Sequence, residues 1–303
     1  MVEIVKSVGK GGVNKPVDVI KMQALVNNND LYTGLVHPSP VTGKVDDILI
    51  AAIKNFQSTH PELLSKKPDG RIDPGGKTLD KLNQYNNSAR QCIDYFPRGF
   101  TGTYFVRFDI DKFVELYALQ YPPLGSSSRN ALSGLVDRLI NDSDIIDVRW
   151  AAYMLATVKH ECANTWKPIE EYGKGAAYDY GKAVQVKDPD KNIELTNIYY
   201  GRGYVQLTWE KNYKEMDNAL GLKAQSSLHL YPSNALEPDT AYKIMSYGMR
   251  HGSFTKKKLS DYISGGAADY YNARRIINGL DKADLIKGYA ENIEFLIRFC
   301  NGV

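Results

Sequence analysis

Two acidic positions in this sequence have the spacing and contrast that acid–base chemistry requires. Glu161 closes the run Trp150–Glu161, in which Trp150, Met154, Thr157 or Val158, and Glu161 fall on one helical face. An acid at the end of an apolar stripe is poorly solvated, and desolvation favours the protonated state that a general acid needs. Beyond Pro168 follow Glu170 and Glu171, in a Gly- and Tyr-rich stretch that reads as an exposed loop where a carboxylate stays ionised. Two carboxyls in contrasting environments are the equipment for hydrolysing a glycosidic bond, one protonating the leaving oxygen while the other activates water or attacks. Alone the pair weighs little, because charge pairs on solvated faces are commoner.

A third element lies at Tyr199–Tyr213. Gly201 and Gly203 let a backbone approach a ligand closely, and Gln206, Thr208 and Asn212 offer hydrogen bonds to sugar or water. No Gly-Lys-Ser/Thr follows, so a phosphate loop is excluded. The histidines His37, His60, His160, His229 and His251 form neither an HExxH pattern nor a compact ligand cluster, so no metal and no other cofactor is expected. His160 reads as structural. Cys162 with His229 or His251 could imitate a nucleophile pair, but the neighbouring Glu161 opposes thiolate formation.

The elements that must position these residues are mainly helical. The 303 residues carry a formal net charge of +3, too slight to imply nucleic acid as a partner or a polybasic membrane anchor. Cys92, Cys162 and Cys300 form no CxxC and no dense disulfide framework, which fits a reducing cytosol. The N-terminus lacks a signal-peptide core, and no uncharged run approaches a membrane span, so stable membrane insertion is not expected. Residues 1–86 read as a small helical unit of two similar halves: Val17, Ile20, Ala24 and Leu25 form one stripe, and Ile48, Ala52, Ile53 and Phe56 repeat it. Each helix carries a Gln near the end of its apolar face. Asp69-Gly70 marks a turn, after which Thr78 can cap or begin a short helix through Leu79 and Leu82. Residues 87–105 read as a linker. From 106 to 303 the stripes are Ile110, Phe113, Val114 and Tyr117; Leu132, Leu135, Val136 and Leu139; Tyr242 to Met249; Ala273 to Ile277; and Leu285, Ile286, Tyr289, Ile293, Leu296 and Ile297. Pro122-Pro123 separates the first two. Extended patterning is scarce, so an α-rich fold is expected.

The N-terminal pattern, a helix ending in Gln, a Phe56-Gln57 helix and an Asp-Gly-x-Ile closing turn, resembles the peptidoglycan-binding domain found beside many cell-wall hydrolases. The rest of the chain resembles glycoside hydrolase family 19, which includes plant-type chitinases and many phage endolysins. The resemblance is carried by His160-Glu161, Glu171-Tyr172-Gly173, Tyr200 through Thr208 with Asn212-Tyr213, and Ala273 through Gly279, in the family's order. It implies a lysozyme-like α-rich domain and an inverting hydrolysis of β-1,4 linkages. Glu161 matches the general acid, Glu171 the second carboxylate, and Thr208 a hydroxyl that helps hold the water. Gln206, Asn212 and Asn278 match substrate-contacting or water-positioning amides, and Tyr200 and Arg202 join them as substrate-binding residues, although Arg202 could equally anchor its turn. The chain departs from the family at Cys162, where Thr is frequent, and the adjacent Glu170 leaves the second carboxylate open by one residue. The expected partner is bacterial peptidoglycan. The protein is expected to be monomeric, made in the host bacterial cytoplasm, and released to the wall through a holin-type pore. Chitin as substrate and an inactive wall-binding protein are the alternatives.

Overall fold

The computed structural model describes residues 2–27, 43–63, 67–84, 108–121, 123–264 and 267–300. The expected linker at 87–105 lies outside them, as does Pro122. The secondary structure is mainly α-helical, with only short antiparallel strand pairs. The chain divides into two compact units, residues 1–98 with 111–123 and residues 99–110 with 124–303, so all but the first residue of the helix Ile110–Gln120 falls with the first unit, whereas the sequence reading includes that helix in the 106–303 domain.

In the first unit the helices Pro16–Asn27 and Asp47–Thr59 and a helical segment at 77–84 surround a core of Val19, Met22, Leu25, Leu49, Ile53, Phe56, Leu79 and Leu82. Asp46 starts the second helix by accepting from the Leu49 N–H, the usual N-terminal cap. The expected stripes are shifted: Ile48 is 49% exposed and Leu49 takes its place inside, while Val17 is only half-buried. Strands Val8–Gly9 and Arg71–Ile72 pair antiparallel and close the unit.

The two-half pattern has a physical counterpart in the buried glutamines. Gln23 Oε1 accepts from Gly43 N–H at 3.0 Å, and its Nε2 donates to the Lys44 carbonyl. Gln57 Oε1 accepts from Gly70 N–H at 3.0 Å, and its Nε2 donates to Asp69 Oδ1 and the Arg71 carbonyl. Each amide thus clamps a turn whose glycine has φ near +70°, a conformation costly for any side chain. Gln57→Leu should strand the buried Gly70 and Arg71 groups and destabilise this unit by about 2 kcal/mol. Amide hydrogen exchange across 47–84 would read it, and unchanged protection would show that the glutamine is not a clamp.

The second unit is organised around the helix Val148–Glu161. Asp147 caps it by accepting from Arg149 N–H and pairs with the Arg149 guanidinium at 2.6 Å. Every residue from Val148 to Lys159 except the half-buried Trp150 is buried. The helix is therefore enclosed on all faces rather than on the single expected stripe. Its principal neighbour is the helix Ala283–Cys300, whose Ile286, Ile293, Leu296 and Ile297 are buried while Leu285 is 44% exposed. The helices Ser126–Ile140, Glu210–Leu220 and Pro238–His251 complete the unit, with Leu132, Leu135, Val136 and Leu139 buried as their spacing implies. Ala273–Ile277 is not one helix but the end of a single turn, Tyr270–Ala273, followed by a 3-10 turn, Arg274–Ile276. A hairpin, Val184–Asp188 with Ile193–Asn197, went unread in the sequence. No helix among the described residues is long and apolar enough to cross a membrane.

Candidate active site

The central helix ends at Glu161, seven residues before Pro168, because Ala163, Asn164 and Trp166 all adopt positive φ and turn the chain away. Strain of this kind persists only where surrounding structure over-determines it. Trp166 is fully buried and anchors the turn. Ile169–Glu170 then pairs antiparallel with Arg202–Gly203, Ile169 opposite Gly203 and Glu170 opposite Arg202. Cys162 closes the circuit, its Sγ lying 3.7 Å from the carbonyls of Gly203 and Tyr204. The helix end bearing Glu161, the loop bearing Glu170 and Glu171, and the glycine turn are thereby fixed in one neighbourhood.

Glu161 is not enclosed in hydrocarbon as the apolar stripe suggested. Its Oε1 accepts from Arg274 Nη1 at 2.6 Å, with the carboxyl side chain 16% and the guanidinium 2% exposed. Arg274 Nε also donates to the Asp281 carbonyl. Arg275, its neighbour, points outward onto Asn272 Oδ1. Arg274 was overlooked in the sequence, where two consecutive arginines gave no sign of which is inside. Removing a buried ion-pair partner leaves an uncompensated charge, so Arg274→Met should cost about 3–5 kcal/mol. Arg275→Met, on the surface, should stay within about 0.5 kcal/mol. Urea midpoints of the two variants check the contrast, and equal effects would refute it.

The two candidate second carboxylates occupy different environments. Glu171 Oε1 accepts from the Tyr180 hydroxyl at 2.8 Å and Oε2 from Gly201 N–H at 3.0 Å, while the Glu171 N–H donates to the Gly201 carbonyl. Burial, with the Glu171 contact behind it, pushes the Tyr180 phenol up to about 12 and keeps it a donor. Glu170 instead accepts from the Tyr200 hydroxyl and faces Lys174 Nζ at 3.4 Å and Arg202 Nε at 3.9 Å. The Tyr200 hydrogen bond, then the Lys174 and Arg202 charges, hold its carboxyl below the usual carboxylate range.

The glycine turn is crowded by the protein itself. A Cβ at Gly201 would come within 2.8 Å of Gln206 Oε1, and one at Gly203, where φ is +87°, within 2.8 Å of the Ala235 carbonyl. The close backbone approach that the sequence assigned to a ligand is thus made by the fold. Gln206 braces the ribbon, donating to the Ile169 and Gly203 carbonyls at 3.2 Å. Tyr200 and Arg202 are buried, at 5% and 6% exposure. Arg202 donates to the Ile198 and Tyr200 carbonyls and the Tyr213 hydroxyl, with its guanidinium 3.5 Å from the Tyr200 ring centroid. Both residues therefore support the turn from inside. Thr208 Oγ1 donates to the Gln206 carbonyl at 2.7 Å, which leaves its lone pairs to accept from water. Asn212 Nδ2 donates to the Thr208 carbonyl. Asn278 is exposed, accepts from Gly279 N–H, and sits one turn beyond Arg274.

Three aromatic rings beside Glu171 were also missed. Tyr180 stacks on Tyr178 at 5.0 Å and meets Trp209 edge-on at 5.2 Å; Tyr178 is 60% and Trp209 50% exposed. Trp209 holds φ at +75°, an outlier for so large a residue, and its N–H donates to the Tyr199 carbonyl. Rings presented this way offer apolar faces with polar edges. Cys162 is buried and burial pushes its thiol up, while His229 is engaged with Glu210 at 3.0 Å and stacked on Tyr199, and His251 bonds the Tyr247 carbonyl, so neither is paired with Cys162. Among the described residues, no group of three or more His, Cys, Asp or Glu converges as metal ligands would.

Comparison of the chain with protein-family models, curated proteins and solved structures gives no match in any of the three.

Proposed function

We propose that the protein is an inverting glycoside hydrolase that cleaves β-1,4 bonds in the glycan strands of bacterial peptidoglycan. The observation that supports the reading is that two differently held carboxyls, one at the end of the central helix and one on the loop beside the Gly201 turn, belong to segments that Cys162 and the Ile169–Glu170 pairing tie together. Glu161 is tied through one oxygen to Arg274, whereas Glu171 is fixed by one hydroxyl and one backbone N–H beside the Gly201 turn. Glu161 takes up a proton from solvent before each turnover and delivers it from Oε2, the oxygen not held by Arg274, to the glycosidic oxygen as that bond to the anomeric carbon breaks. A water held by Thr208 adds to the anomeric carbon from the opposite face, and Glu171 takes its proton. The residue 1–86 unit, which resembles a wall-binding domain, holds the enzyme on its polymer and raises the local substrate concentration. A phage origin, synthesis in the bacterial cytoplasm and release through a holin-type pore complete the proposal.

Single displacement needs room for the water, so inverting carboxyls stand roughly 6.5–9.5 Å apart, against about 5–5.5 Å for a retaining pair. Glu171, on a loop beyond the helix end, suits the wider arrangement. Proton NMR of the first product formed from a soluble β-1,4 N-acetylglucosamine oligosaccharide should show the α-anomer. An initial β-anomer would require a covalent intermediate and overturn the mechanism. Mass analysis of the reducing ends released from purified peptidoglycan identifies the bond, and absence of new reducing ends would refute the hydrolase.

A further inference from the structure

A cavity of roughly 240 Å³ opens between the helices Glu210–Leu220 and Pro238–His251 and the loop after the second, and it begins at Asn212, one helical turn from Thr208. Met216 and Phe254 contribute apolar surface to its lining. The Phe254 ring lies across Gly248, where any Cβ would overlap it. Glu215 and Lys256 bring charge to its lining, and His251 an imidazole. Lys256 is fixed at φ +66° by its N–H donating to the Gly252 carbonyl, yet its ammonium makes no hydrogen bond or ion pair among the described residues. Lys257 and Lys258 follow, both exposed, and reinforce the positive potential. Glu215, the opposing charge, lies 3.6 Å from Lys211. The His251 ring is stacked on Tyr247 at 4.0 Å, its Nδ1 occupied by the Tyr247 carbonyl, which leaves Nε2 open.

We propose that this cavity receives the carboxylate-bearing peptide arm of the wall glycan. It rests on the hydrolase reading for its place beside the cleft and supplies what that reading lacks, a feature that separates peptidoglycan from chitin. Both polymers share the β-1,4 N-acetylhexosamine backbone, but only peptidoglycan branches into an acidic side chain. The volume is below the usual range for a whole small-molecule site, as suits a branch rather than a strand. A carboxylate meets Lys256, small apolar side chains of the arm meet Met216 and Phe254, and Asn212 and the open nitrogen of His251 supply hydrogen bonds to its amides.

The test uses the full-length Glu161→Gln protein, which holds substrate without turning it over, and calorimetric titration with two soluble tetrasaccharides of the wall backbone, one bearing its peptide arms and one stripped of them. The peptide-bearing ligand should bind more tightly. Lys256→Gln, added to that protein, should weaken it about fivefold at low salt without changing the affinity of the stripped ligand. Glu215→Gln should tighten the peptide-bearing ligand alone. Equal affinity for the two ligands, or an equal loss on both from Lys256→Gln, overturns the proposal. Peptide-dependent binding in a protein whose native form releases no reducing ends would refute the hydrolase and leave the pocket standing.

Discussion

Glu161→Gln is expected to lower glycan hydrolysis by about a hundred- to ten-thousandfold, the contribution that a positioned general acid makes. The amide preserves the shape of the side chain and can still accept from Arg274 through its carbonyl oxygen, but it has no proton to give to the leaving oxygen. The ion pair adds a second, separable consequence. Arg274 is 2% exposed, so its charge loses its counter-ion in a site that water hardly reaches. A folded protein that melts lower, by about 1–3 kcal/mol in stability, is therefore expected alongside the lost activity. Turnover of a soluble oligosaccharide, circular dichroism and a urea melt on the same preparation separate the two effects. Near-normal hydrolysis by a correctly folded variant would remove Glu161 from the mechanism.

Glu171→Gln should reduce turnover by a comparable factor with little change in substrate affinity, whereas Glu170→Gln should be mild. The difference follows from what each carboxyl touches. Glu171 is held by Tyr180 and Gly201 in the neighbourhood of Thr208, so the loss of its negative charge removes the acceptor for the proton of the attacking water. Glu170 is 37% exposed and is engaged with Tyr200, Lys174 and Arg202. Its loss leaves the Arg202 guanidinium with its carbonyl and hydroxyl acceptors and disturbs the turn only from behind. Separate kcat and KM values for both variants decide it. A severe Glu170 variant with a mild Glu171 variant would exchange their roles.

Adjacent residues of one type expose the boundary between what a sequence specifies and what packing decides. Glu170 and Glu171 have nearly the same local neighbours, as do Arg274 and Arg275, and no periodicity in these short irregular segments tells one from the other. The pairing of Ile169–Glu170 with Arg202–Gly203 turns Glu170 toward Arg202 and Tyr200. The 3-10 turn at Arg274–Ile276 turns Arg274 inward to Glu161, 113 positions away in sequence. The same limit explains Tyr200 and Arg202: their types suit sugar recognition, but burial is a property of the assembled turn.

By itself the sequence determined the mainly helical architecture, because a 3.6-residue apolar period is local: Leu132, Leu135, Val136 and Leu139 needed only their own spacing to be inside. It also determined that Asp69-Gly70 turns and that Gln23 and Gln57 occupy equivalent places, since a positive-φ glycine and a buried amide are constraints a chain carries wherever it folds. Only the tertiary structure decided that the helix Val148–Glu161 is enclosed on every side, that Arg274 meets Glu161, and that Tyr178, Tyr180 and Trp209 gather beside Glu171. The Arg274–Glu161 and Tyr180–Trp209 contacts join segments far apart in sequence. Their energies arise from desolvation and ion pairing that do not exist until the segments meet.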